Sequence, residues 1–259
     1  MSMIESEVQT LVTQLKRKTW VDLTHSFGPE SPHFPEFQPA KFKTIATHAD
    51  GYYVKQYTFP GQYGTHIDPP VHFYKDEERY VEDLQLKDLV LPLVVIDCSE
   101  KTEANPDYSL TVEDIKNWEK KNGSIPEGAF VALRTDWGRR WPSQVKFENK
   151  DTKGQNHYPG WSLEALKYIY EVRHATANGH ETFDTDAAVN QQNGLIGEYY
   201  VLSHGHYQVE LLDNLDRVPS TGAVVFISVA KPENAPGFPV RVFAVFDESK
   251  NKENTKAIK

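Results

Sequence analysis

The sequence predicts an α/β protein, because two kinds of segment intermix along it. Apolar runs at residues 89–96, 129–133, 223–229 and 240–246 are short enough for buried or half-buried strands. Between them lie stretches in which apolar residues return at helical spacing. From the N-terminus, Ile4, Val8, Leu11, Val12 and Leu15 define an amphipathic helix over about residues 2–18, with Ser2 and Glu5 placed as a capping box. This helix is expected to pack on the body of the protein or on a partner subunit. The second helix, 111–121, is capped by Thr111 with Asp114 and closed by Gly123. In the third, 162–173, Leu163, Leu166, Ile169 and Tyr170 share one face. Neither of these two carries obvious chemistry. The Lys-rich end, 250–259, reads as a frayed tail, and the absence of a repeat or low-complexity linker predicts one domain over 1–259.

Chemistry concentrates in the run 62–72, Gln-Tyr-Gly-Thr-His-Ile-Asp-Pro-Pro-Val-His. Read as a strand followed by a turn, it places Gln62, Gly64, His66 and Asp68 on one face, and Tyr63, Thr65 and Ile67 on the other. Gly64 leaves room for an ion or a substrate to approach the backbone. Pro69 and Pro70 end the ladder, since neither donates a backbone hydrogen bond, and free His72 to fold back over the ligand face. Two imidazoles, a carboxylate and an amide in this spacing form a candidate metal site.

Composition narrows the function classes. A net charge of −9 opposes general nucleic-acid binding, and the short basic pair Arg139-Arg140 reads as a solvated loop. No stretch approaches a membrane span, and the charged, polar N-terminus does not read as a signal peptide, so a cytoplasmic protein is expected. The single Cys98 closes an apolar run and reads as a buried strand residue; an intrachain disulfide is impossible.

At 62–72 the chain resembles the metal-dependent cyclase and hydrolase family that includes bacterial kynurenine formamidase and isatin hydrolase, with the signature His-x-Gly-Thr-His-x-Asp-x-Pro-x-His. Gly64, Thr65, His66, Asp68, Pro70 and His72 match; Gln62 stands where the signature has its first metal-binding His. The looser likeness runs from Trp20 to Phe246. Val21-Asp-Leu-Thr-His and Pro32-His-Phe-Pro resemble the opening strand and the loop that sets an aromatic residue over substrate, so Phe34, with His33 beside it, is implied to bind substrate. The run 179–186, Gly-His-Glu-Thr-Phe-Asp-Thr-Asp, is similar to the family's Gly-x-Asp-Thr-x-Ser-x-Asp. Gly179, Thr182 and Asp186 match, while Glu181 stands in place of an Asp.

That resemblance implies a central mixed sheet or barrel-like β core flanked by helices, of the swivelling β/β/α type, in a homo-oligomer, dimer or tetramer. It implies one divalent ion, Zn²⁺ or Mn²⁺, on Gln62, His66, Asp68 and His180, the last compensating for Gln62. Asp213 falls at the position of a second-metal carboxylate, but counting back puts its partner at Val201, which cannot bind metal, so one ion is expected rather than two. His180-Glu181 follows Asn178-Gly179, which reads as a turn after the third helix, and Glu181 is a ligand or a base. The implied activity is hydrolysis of an amide or lactam by metal-activated water, with His72 as general base and then acid. Phe34, Tyr52, Tyr53 and Trp137 are compatible with an aromatic small-molecule substrate. A cyclase using the same Lewis acid, and a non-catalytic binding or scaffold protein, are the alternatives. His204 and His206 flank Gly205 and read as solvent-exposed, while His157 and His174 lack informative neighbours.

Overall fold

A computed structural model describes residues 3–248 of the chain. Helix α1 (Met3–Lys16) leads into strand β1 (Thr19–Asp22), with the Trp20 indole donating to the Leu15 carbonyl at the junction. Strands β2 (Lys41–Ala46) and β3 (Val54–Thr58) form an exposed hairpin. There follow β4 (His66–Asp68), β5 (Val90–Asp97), α2 (Ser99–Ala104), β6 (Ser109–Leu110), α3 (Val112–Asn122), β7 (Phe130–Arg134), α4 (Gln144–Glu148), β8 (Gly160–Trp161) and α5 (Leu163–Lys167). The chain continues through β9 (Ala177–His180), α6 (Ile196–Ser203), β10 (Tyr207–Glu210), β11 (Ala223–Val229) and β12 (Phe238–Phe246).

The main sheet runs β1-β12-β11-β5-β7-β9-β10-β4, and β4 also pairs with β12, closing every strand but β1 into a ring. The β5-β7-β9-β10 stretch is parallel and the remaining pairs antiparallel, so the predicted mixed, barrel-like β core is the observed one. Side-chain alternation along each strand builds two cores. Leu91, Leu93, Val95, Phe130, Ala132, Ile67, Val209, Val225 and Val242 fill the ring. Their neighbours Val94, Ile96, Val131 and Leu133 face outwards onto Ile115, Trp118, Leu166, Ile169, Val201 and Leu202 of the helices. Helix α3 carries the expected cap, Thr111 Oγ1 accepting from Asp114 N while the Asp114 carboxylate accepts from Thr111 N.

Several expectations change. The apolar face of α1 is uncovered, with Val8, Leu11 and Val12 exposed, so it does not pack on the described body. Ser2 of the predicted capping box and the 250–259 tail lie outside the described residues. The predicted helix 162–173 is α-helical only to Lys167 and continues as a wider π turn, Tyr168–Val172. Asn178 and Gly179 are not in a turn but within β9, fully buried. Arg139 and Arg140 end a 3-10 turn: Arg139 pairs with Asp136 and Asp216, and Arg140 lies 3.5 Å over the Trp137 ring. Cys98 is buried as expected, one residue past β5, and burial pushes its thiol up to about 12.

Candidate metal centre

The site grows out of the pairing of β4 with β10. His66 lies opposite Glu210 and Asp68 opposite Gln208, with Ile67 opposite Val209 between them. Because neighbours on a strand alternate, Ile67 and Val209 enter the ring core while His66, Asp68, Gln208 and Glu210 share the outer face. On the next strand, in parallel register, Asn178 and His180 extend the same polar face. These groups are largely withdrawn from solvent: each is at most 4% exposed. Buried polar groups need partners, and most find them here. Tyr170 donates to Asn178, Thr185 to Gln208, and Gln208 in turn to Glu210 Oε1 at 2.9 Å.

His66 donates its Nδ1 proton to the Gly64 carbonyl at 2.8 Å, which leaves Nε2 as the lone-pair nitrogen. That atom is 3.3 Å from Asp68 Oδ2 and 3.3 Å from Glu210 Oε2. One ligand atom from each of His66, Asp68 and Glu210 lies within 4.8 Å of the others, and Asp68, His72 and Glu198 form a second such group. The electrostatics call for a cation. Burial disfavours a charged His66, yet Asp68 and Glu210 raise its pKa well above the ordinary value. Burial likewise opposes ionisation of Asp68, but His66 and His72 hold it down to about 2. Asp68 Oδ2 is buried without a hydrogen bond. Imidazole and carboxylate donors around uncompensated charge fit a divalent ion.

Helix α6 brings Glu198 to the face. Asp186 accepts from the backbone N–H of Gly197 (2.8 Å) and of Glu198 (3.0 Å), fixing the helix start. Glu198 Oε1 then lies 3.8 Å from His72 Nε2. Burial, and then the charges of Glu210, Asp184, Asp68 and Asp186, push its carboxyl well above the ordinary range.

Gln62 takes a different part from the one expected. Strand geometry begins only at His66, because Gly64 sits at φ +63° and bends the chain. The room at Gly64 is taken by Phe27, whose Cδ1 would be 2.9 Å from an added Cβ, and not by an ion. The Gln62 amide nitrogen donates to Asp68 Oδ1 (3.3 Å) and the Pro236 carbonyl (3.2 Å) and lies 3.3 Å from His72 Nδ1. In this arrangement Gln62 orients Asp68 through its amide nitrogen. Gly237 makes the space: a Cβ there would run into the Gln62 amide and come within 2.7 Å of Asp68 Oδ1.

His180 is fully buried behind Glu210, its Nε2 3.3 Å from Glu210 Oε1, and belongs to neither donor group. Val201 packs in the helix-side core, and Asp213 Oδ2 faces His25 Nδ1 at 3.5 Å. The carboxylates at the site are Glu198 and Glu210, which the sequence reading missed. Each lies three residues before the position reached by counting. Of the distant histidines, His204 is exposed, but His206 stacks on Tyr170 at 3.8 Å instead of facing solvent, and burial pushes it down to about 4. His157 does have a neighbour, Asp107, 2.8 Å from its Nδ1.

Above the donors opens a cavity of about 210 Å³. Phe34, Phe37, Phe73, Phe183, Leu195 and Leu211 form its walls; Gln62, His66, His72, Asp184, Glu198 and Glu210 supply its polar groups. Phe34 therefore lies over the donors. His33 is turned away, stacked on Tyr63 with Nδ1 2.8 Å from the Ser31 carbonyl. Tyr52 and Tyr53 are exposed beside the hairpin, and Trp137 is buried in a separate core with Phe147.

Glu181 also points away from the cavity. Its Oε2 accepts from Thr135 N (2.6 Å) and Thr135 Oγ1 (2.8 Å), which makes it an anchor for the turn after β7 rather than a base. Burial pushes it up to about 7, against the two Thr135 bonds. A folded-state value above the ordinary 4.5 means that stability falls as pH rises from about 4.5 to about 7 and is level beyond. Glu181→Gln keeps an acceptor for Thr135 and removes that fall. Denaturation across pH 5 to 7.5 is expected to favour the variant increasingly, by up to about 1.4 kcal/mol per pH unit. A pH-independent difference would show that Glu181 titrates like an exposed carboxylate.

Over residues 21–187 the sequence matches the family model described as "Putative cyclase". It is 30% identical over 244 residues to isatin hydrolase of Roseibium aggregatum, spanning 87% of this chain and 90% of that protein. The isatin hydrolase A of Labrenzia aggregata, solved bound to benzyl benzoate, superposes with a TM-score of 0.86 at 32% identity, covering 95% of this chain and 100% of the other. An isatin hydrolase bound to the product analogue thioisatinate gives 0.88 at 28% identity, covering 96% and 100%. Among the described residues, no helix is long and apolar enough to cross a membrane.

Proposed function

This chain belongs to the cyclase family and is a metal-dependent hydrolase of non-peptide carbon–nitrogen bonds, and from that premise we propose that it opens a compact, uncharged aryl lactam, with isatin first among candidates. The observation that carries the reading is the cavity: aromatic and aliphatic walls over a floor of carboxylates and imidazoles, and, among the described residues, no Lys or Arg in its lining. A flat aromatic ring fits those walls. An arylformamide with an amino-acid tail would set its own carboxylate beside Glu198, Glu210 and Asp184 with no cationic side chain to meet it. This favours the lactam over the formamidase substrate.

His66, Asp68 and Glu210 would hold the ion, Zn²⁺ or Mn²⁺, with Gln62 orienting Asp68, and His180 and Gln208 set against Glu210. When bound, a divalent ion supplies a Lewis acid that polarises a carbonyl and makes water a better nucleophile. His72 handles the proton. Its Nε2 lies 3.8 Å from Glu198 Oε1, with Nδ1 3.3 Å from the Gln62 amide nitrogen. The Nε2 lone pair would take a proton from the attacking water, and the imidazolium so formed would return one to the leaving nitrogen as the carbon–oxygen bond forms and the carbon–nitrogen bond breaks. Phe34 and Phe37 close the cavity around the ring. The proposal also takes the chain as one hydrolase domain, cytoplasmic and a homo-oligomer. The exposed apolar residues Val8, Leu11 and Val12 of α1, with Ile45, Val54 and Tyr57 on the hairpin, support self-association.

Isatin incubated with chelator-treated protein, and with protein reloaded with Zn²⁺ or Mn²⁺, tests the reading. Metal-dependent gain of one water, read by mass, is the expected result. Ring chemistry without that gain would favour the cyclase alternative. Inertness of loaded protein towards isatin and other aryl lactams would overturn the proposal.

A further inference from the structure

Asp184 and Gln62 are the polar groups of the cavity wall that belong to neither donor group, and the Gln62 amide is engaged with Asp68 and the Pro236 carbonyl. In the run 179–186 Asp184 stands where the similar family pattern carries Ser, so this chain has a carboxyl in place of a hydroxyl. Its anchoring is specific. The Tyr158 hydroxyl and the Gln191 amide (2.9 Å) both donate to Oδ2, and Gln191 also holds Tyr158 (2.9 Å) and the Asp186 carbonyl (3.3 Å). Thr182 Oγ1 donates to the Asp184 carbonyl at 3.2 Å, fixing the backbone. The side chain is thus locked from behind through one oxygen, and neither donor reaches Oδ1.

A lactam presents two polar atoms side by side, a carbonyl oxygen and an N–H. With the carbonyl directed at the His66, Asp68 and Glu210 donors, the N–H needs an acceptor on the wall. Outside the two donor groups and Gln62, whose amide is engaged with Asp68 and the Pro236 carbonyl, the wall residues Phe34, Phe37, Phe73, Phe183, Leu195 and Leu211 offer apolar side chains. We infer that Asp184 determines specificity in this reaction: Oδ1 accepts the N–H of the bond to be cleaved, selecting lactams with a hydrogen on that nitrogen over N-alkylated lactams and lactones. The assignment rests on the lactam reading above. A site built to bind an N–H discriminates far more sharply than an apolar pocket does, since the analogue leaves a buried group unpaired.

The test compares isatin with its N-methyl derivative on wild type, Asp184→Ser and Asp184→Ala. The measurements are kcat/KM on metal-loaded protein, Kd on metal-depleted protein, and metal content. Wild type is expected to prefer the N–H compound by roughly 10²-fold or more. In both variants that preference falls to within a few-fold while metal content holds. Equal handling by wild type, a preference that survives in the variants, or parallel losses on both compounds would overturn the inference. If wild type turns over neither compound yet binds them with a preference that the variants lose, lactam opening fails and the Asp184 assignment stands. If it binds neither, both fall.

Discussion

Asp68→Ala is expected to leave the protein without bound metal and to lower kcat/KM by roughly three orders of magnitude or more, the several kcal/mol that a Lewis acid contributes. Asp68 is the residue common to both donor groups, so its loss disables them together, whereas Glu210→Gln removes a donor from only one. Asp68 is also fully buried, flanked by His66 Nε2 at 3.3 Å and by the Gln62 amide. Asp68→Asn preserves that shape and removes the charge, which separates loss of the ion from loss of the fold. Elemental analysis beside circular dichroism reads both. A well-folded Asp68→Ala protein that keeps wild-type metal would place the ion elsewhere.

His72→Ala should keep the ion and lower kcat by roughly 10²- to 10⁴-fold, the range for a general acid–base group. The imidazole is part exposed at the cavity edge, and its Nε2 stands 4.0 Å from Asp68 Oδ1 and 3.8 Å from Glu198 Oε1. Those are distances for a proton relay as well as for a second ion. Metal stoichiometry decides between them: unchanged content with a depressed kcat supports the relay, while loss of an equivalent makes His72 a ligand together with Asp68 and Glu198.

Much of this site was legible, for identifiable reasons. His66 and Asp68 sit two apart on a strand, and a period of two survives any tertiary context. Gln62 reaches the site without belonging to the strand, because Gly64, in the left-handed region, ends that period before it. Glu198 and Glu210 carried their own signals. Glu198 is a lone charge in the otherwise uncharged helix Ile196–Ser203, and Gln208 and Glu210 alternate with Tyr207, Val209 and Leu211 just as His66 and Asp68 alternate with Ile67. The spacing of twelve between Val201 and Asp213 is the spacing between Glu198 and Glu210, so the interval was right and its origin lay one helical turn off. What no local pattern could supply was the pairing of β10 with β4, a contact across some 140 residues. The mixed ring was likewise suggested by likeness to relatives and not by the apolar runs, which do not say which strands are neighbours.

Strand β4 is three residues long, yet it joins β10 on one side and β12 on the other. Two of those three residues are the donors His66 and Asp68. His66, Asp68 and Glu210 would hold an ion between β4 and β10, a seam of only three residue pairs. The ring closes through backbone pairing alone, and cation capture would add its free energy of binding to the stability of that seam. The protein's resistance to unfolding is then a function of free cation concentration, which makes its lifetime a readout of cation supply as well as of its own sequence.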